Sequence, residues 1–68
     1  MRVSGLRTVR LIKGLRQYDV GKAIGVHEKK VSDWELEKSE PDSYEVSKLI
    51  DVLECTSNEL YGLKLVEN

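Results

Sequence analysis

A chain of 68 residues, 40% apolar and 34% charged, has room for one helical domain, whose core supplies only about 3–5 kcal/mol of net stability. No apolar run approaches the ~20 residues that span a bilayer, and the opening Met1-Arg2-Val3-Ser4-Gly5-Leu6-Arg7 lacks the apolar centre of a secretion signal, so a cytoplasmic protein is expected. A single cysteine, Cys55, and a single histidine, His27, exclude an internal disulfide and a Cys/His metal cluster.

The net charge of −1 conceals a division along the chain. Residues 1–38 hold nine Lys/Arg against five acids, a balance of +4, whereas residues 39–68 hold two lysines against seven acids, a balance of −5. Such a dipole orients a protein on a polyanion even when the total is near zero. The chain offers no phosphate-cradling glycine loop and no evident carboxylate pair. No enzyme, cofactor or small-molecule ligand is therefore expected.

In chain order, a first helix is predicted from about Ser4 to Lys13, with Leu6, Val9 and Lys13 on one face, Arg10 beside them, and Gly14 capping it in a left-handed conformation. Leu11 then points away from the core and Ile12 lies at its flank, which makes them a candidate protein contact. A second helix, Gln17 to Ile24, buries Val20 and Ile24 and ends at Gly25, where a positive φ costs least. A third begins near Glu28 and reaches Glu35 or Glu37, burying Val31 and Trp34. The polar stretch 37–41 ends in the only proline, Pro41, and reads as a loop. Asp42 with Glu45 forms a capping box for a fourth helix, Ser43 to Leu53, whose Val46, Leu49, Ile50 and Leu53 make an i, i+3, i+4, i+7 stripe. Thr56 with Glu59 repeats the signature for a short fifth helix ending at Tyr61-Gly62. The expected domain is 1–62, followed by a short tail, 63–68, in which Leu63, Leu65 and Val66 form a second candidate contact patch.

The run from Gln17 to Glu35 carries the most information. It reads as two short helices joined at Gly25, with a second glycine, Gly21, where they would cross. This is the pattern of a helix-turn-helix, whose second helix is usually offered to the DNA major groove. Once Val31 and Trp34 turn inward, Glu28, Lys29, Lys30, Ser32 and Asp33 face outward.

The chain resembles the phage-repressor/Cro-like, or Xre, helix-turn-helix family. The resemblance rests on Leu6, Val9 and Arg10; Lys13-Gly14-Leu15; Gln17; Val20-Gly21; Ile24-Gly25-Val26; Val31-Ser32; Glu35; Lys38 and Pro41. It continues through Leu49, Leu53, Cys55 and Asn58-Glu59-Leu60. It implies an all-α, compact five-helix lambda-repressor-like domain that binds operator DNA as a homodimer, a small Cro-like repressor at the nucleoid. By resemblance, Glu28, Lys29 and Asp33 reach base edges. A lysine donates to guanine O6/N7 and a carboxylate accepts from cytosine N4, so a G·C-containing half-site of an inverted repeat is expected. Arg16, Gln17, Lys30, Ser32 and Lys38 are the expected phosphate contacts. Gln17 also opens a helix whose free N–H groups favour an anion. Arg10 and Glu35 are implied as a partly buried ion pair between the first helix and the end of the third.

Four positions depart from the family. Arg16 and His27 stand where Ser/Thr caps are usual, so both are expected to cap poorly; His27 is a possible phosphate neighbour. Gly21 replaces alanine, which implies close helix packing, and Cys55 replaces an aliphatic residue as a buried small hydrophobe. Trp34 is expected in the core and not as a stacking platform. Glu28 and Asp33 bring negative charge toward a negative duplex. The alternative is a protein-interaction module of the same fold, an antitoxin or adaptor, with little or no DNA binding.

Overall fold

The computed structural model describes residues 2–62. Five helices follow in chain order: α1 Leu6–Ile12, α2 Gln17–Ile24, α3 Glu28–Glu35, α4 Ser43–Leu53 and α5 Ser57–Tyr61. Among the described residues there is no strand, and the class is the all-α five-helix one that the helical periodicities predict. The tail with Leu63, Leu65 and Val66 lies outside the described residues.

One core joins all five helices. Val3, Leu6 and Val9 come from the N-terminal segment and α1, Val20 from α2, and Val31 and Trp34 from α3. Val46, Leu49 and Leu53 of α4 and Leu60 of α5 complete it. Every one of these side chains is buried, and burying a Val, Leu or Trp of this kind contributes about 1.5–3 kcal/mol each against the chain entropy lost. The expected i, i+3, i+7 positions of α4 are buried; Ile50, at i+4, sits half-buried at the edge of the stripe. Helix α2 packs against α3 and α4, while α1 packs against α5 and α3.

Helix α1 is shorter than the sequence predicts, Leu6–Ile12 in place of Ser4 to Lys13. The cause is a backbone junction. Gly5 N–H donates to the Leu60 carbonyl at 2.9 Å, and a Cβ on Gly5 would stand 1.9 Å from the Glu59 carbonyl oxygen. The chain before Leu6 is therefore committed to α5 and cannot extend α1. Val3, which the sequence reading left out of the core, is 2% exposed for the same reason. At the other end the helix unwinds into left-handed Gly14, as expected, and Lys13 becomes an exposed cap residue instead of part of the apolar face.

Helices α2 and α4 have the predicted bounds, and α3 stops at Glu35, the shorter of the two predicted ends. The α4 capping box is reciprocal: Glu45 N–H donates to Asp42 Oδ1 at 2.7 Å and Asp42 N–H donates to Glu45 Oε1 at 2.9 Å. Thr56 and Glu59 repeat it on α5 at 2.9 and 3.1 Å. Cys55, expected as a buried small hydrophobe, is half-buried, and burial pushes its thiol pKa up. It is a packing residue with little thiolate character.

Two glutamates occupy left-handed backbone positions that favour glycine: Glu37 after α3, φ 59°, and Glu54 after α4, φ 50°. An L side chain there costs about 1–2 kcal/mol relative to right-handed geometry. Glu37 recovers some of this by accepting the Ser4 hydroxyl at 3.2 Å, whereas the exposed Glu54 is the simpler site to relieve. Glu54→Gly is expected to stabilise the domain by about 1 kcal/mol, about 4–8 °C in a thermal melt. An unchanged or lower Tm would show that the backbone at residue 54 is unstrained.

Candidate nucleic-acid interface

The corner between α2 and α3 is set by two glycines. Gly25 takes φ 85° and ψ 28°, a left-handed cap, and the N–H groups of Gly25 and Val26 both donate to the Gly21 carbonyl at 2.8 Å. Gly21 is buried, and a Cβ there would lie 2.6 Å from the Val26 carbonyl oxygen, closer than side-chain carbons approach. The glycine gives up about 1 kcal/mol of helix propensity so that the turn can fold back onto α2. Close packing at Gly21 is therefore a fact of the backbone.

His27 caps α3, contrary to the expectation of a poor cap. Its backbone is extended and its Nδ1 accepts the Lys29 N–H at 3.0 Å. A neutral imidazole has one acceptor nitrogen, so it does here what a Ser or Thr oxygen does elsewhere, and its proton sits on Nε2. Arg16, by contrast, has no acceptor to offer. Half of a capping box survives at α2, where Asp19 Oδ2 accepts the Arg16 N–H at 2.8 Å. The Arg16 guanidinium also donates to Asp19 at 3.0 and 3.1 Å, which raises the arginine pKa and holds the Asp19 carboxyl below its usual range.

On α3, Val31 is fully buried and Trp34 is 1% exposed, so the opposite side of the helix carries Glu28 and Lys29 exposed with Ser32 and Asp33 half-buried. The Lys29 ammonium lies 3.6 Å from Asp33 Oδ1, one turn along the same face. Lys30 leaves this face. Its Nζ is 2.6 Å from Glu45 Oε2 on α4 and 5.9 Å from the Trp34 ring centroid; the Glu45 hydrogen bond raises its pKa. Lys38 is exposed beyond α3, where its backbone N–H closes the helix end on the Asp33 carbonyl at 2.9 Å.

Arg10 and Glu35 meet as the family pattern implies, and more tightly than a partly buried pair. Their side chains are 9% and 3% exposed. Arg10 Nε donates to Glu35 Oε2 at 2.6 Å and Nη2 donates to Oε1 at 3.0 Å. The Glu35 hydrogen bond outweighs burial and raises the arginine pKa. Two further contacts had no signal in the sequence. Arg10 Nη1 donates to the Leu15 carbonyl at 2.9 Å, and Gln17 Nε2 donates to Glu35 Oε1 at 3.1 Å.

The structure also gathers residues that sequence reasoning passed over. Tyr18, 49% exposed, has the Arg16 guanidinium 5.8 Å and the Lys22 ammonium 6.0 Å from its ring centroid. With Lys22, Val26, His27 and Glu28 it lines a groove of about 250 Å³ beside the turn. The i, i+4 spacing of Tyr18 and Lys22 is the one sequence signal that pointed to this cluster.

A glycine-pinned corner and a second helix anchored by Val31 and Trp34, with its polar face exposed, define a helix-turn-helix DNA-binding domain. The family model described as helix-turn-helix matches residues 6–60, and the chain belongs to this Xre/Cro-like helix-turn-helix family, a family of DNA-binding regulators. No curated protein and no solved structure matches the chain. Among the described residues no group of His, Cys, Asp and Glu is placed to hold a metal ion, and no helix is long and apolar enough to cross a membrane.

Removing one partner of a buried pair strands the other charge and costs about 3–5 kcal/mol, comparable to the whole stability expected of so small a core. Arg10→Met and Glu35→Ala are each expected to lower the melting temperature so far that the chain is largely unfolded at 25 °C. Circular dichroism melts matching the wild type would refute a structural role for the pair.

Proposed function

We propose that the chain is a sequence-specific transcription regulator, a small Cro-like repressor, that inserts α3 into the major groove of an operator. The observation that carries this reading is the division of α3: Val31 and Trp34 fix one side in the core and leave Glu28, Lys29 and Asp33 on the other. Lys29 is the donor for guanine O6/N7, and Glu28 and Asp33 are acceptors for cytosine N4. Arg16, Gln17, Lys30, Ser32 and Lys38 supply the phosphate contacts. In the free protein Lys29 is engaged by Asp33, Lys30 by Glu45 and Arg16 by Asp19. Binding exchanges these pairs for phosphates and bases, at little cost for the two at the surface, Arg16–Asp19 and Lys29–Asp33.

A homodimer sets two α3 faces one turn of duplex apart, about 34–36 Å, and so selects an inverted repeat. Leu11 and Ile12, 54% and 76% exposed on α1, are the apolar side chains offered to a protein contact among the described residues of that helix. Sedimentation of the chain alone at high micromolar concentration checks this, and a monomer there would remove the Leu11 and Ile12 contact.

Selection from a random duplex library is expected to return an inverted repeat with G·C pairs in each half-site. For about 6–10 phosphate contacts, affinity for the selected duplex falls by about 10³–10⁵ between 50 and 200 mM salt. Lys29→Glu, on an exposed position, is expected to abolish retention without changing Tm. A flat salt response, with Lys29→Glu binding as well as the wild type, favours instead a protein-interaction module whose Glu28 and Asp33 keep DNA away.

A further inference from the structure

We propose that Glu35, besides pairing with Arg10, is the positioning residue for the phosphate contact of Gln17; this deepens the DNA-binding reading above and rests on it. Gln17 is the first residue of α2. The first intrahelical bond there runs from Val20 N–H to the Arg16 carbonyl at 3.2 Å, so the N–H groups of Gln17, Tyr18 and Asp19 precede the ladder and face an incoming anion. The neighbouring Arg16 is already matched by Asp19, through both its guanidinium and its backbone N–H. The side-chain amide of Gln17 is thus the neutral side-chain donor at this helix end, held by Glu35 through one of its two N–H groups.

A carboxamide has two faces for a phosphate, an attractive NH₂ and a repulsive oxygen, and a free one presents either. Glu35 removes the choice. Its Oε1 accepts Gln17 Nε2 at 3.1 Å, and a carboxylate 3% exposed repels an amide oxygen brought to the same place. One N–H is spent on Glu35, and the nitrogen keeps the other for the phosphate. The carboxylate is itself immobile, since Arg10 holds Oε2 at 2.6 Å and Oε1 at 3.0 Å. The remaining arm of Arg10 grips the Leu15 carbonyl at 2.9 Å, two residues before Gln17. One buried network therefore holds both the segment leading into α2 and the orientation of the side chain that opens it.

The test is a double-mutant cycle on a selected duplex with Glu35→Gln, Gln17→Ala and the pair combined, each at a temperature where circular dichroism shows it folded. Gln17→Ala is expected to weaken binding about ten-fold, as loss of one phosphate hydrogen bond does, Glu35→Gln by a similar factor, and the double variant by no more than Gln17→Ala alone. Independent, multiplying losses mean that Glu35 acts only through the fold, and they overturn the proposal. If Glu35→Gln does not fold, proton NMR of the wild type decides. On adding duplex, one Nε2 proton of Gln17 is expected to shift while the one bonded to Glu35 stays. Movement of the bonded proton, or rapid solvent exchange of both in the free protein, overturns the proposal. A wild-type chain that binds no duplex removes the functional reading and this inference together, so the two failures are distinguishable.

Discussion

Arg10 and Glu35 take two opposite charges almost out of water, which is costly, and the cost is recovered only because every polar atom of the pair is used. Both carboxylate oxygens and all three guanidinium nitrogens have partners. A purely apolar contact between α1 and α3 would be stable over a range of rotations. The bidentate pair admits one, and it reaches past the two helices to the Leu15 carbonyl and the Gln17 amide. The helix-turn-helix corner hangs from this arrangement: α3 is fixed at its last residue, α2 at its first, and Gly25 closes the turn between them.

The distribution of charge follows the same economy. Part of the basic half of the chain is matched by acids and not displayed as bare cations. Arg16, Lys29 and Lys30 each lie against a carboxylate, of Asp19, Asp33 and Glu45 respectively. The Arg16 and Lys29 pairs lie at the surface, weak and screened by salt, so they restrain these cations without sequestering them. Glu45 serves twice, with one oxygen in the capping box of α4 and the other on Lys30, and in doing so it ties α3 to the scaffold behind it.

Most of the fold was legible because local rules and the global packing agree. The α4 stripe, its capping box, the second box at Thr56 and Glu59, and Gly25 all state their roles in neighbouring residues, and the structure has them there. What the sequence withheld depends on contacts between distant residues. Helix α1 starts late because Gly5 meets Leu60, a pairing 55 positions apart that leaves no local trace. Lys30 departs from the outward face because Glu45 is waiting on another helix. His27 was misjudged by residue class: the usual capping residues carry oxygen, and the acceptor here is a ring nitrogen whose availability depends on tautomer. Glutamates at residues 37 and 54 gave no warning of left-handed backbone, since glycine is the signal one looks for.

The placement of Trp34 has a practical corollary. It is the only tryptophan in the chain, it sits at 1% exposure, and it belongs to the helix whose other side we propose for the major groove. Its indole is shut away from stacked bases and from solvent quenchers as long as α3 stays docked. Intrinsic emission from this protein is therefore an optical gauge of whether α3 is seated in the core.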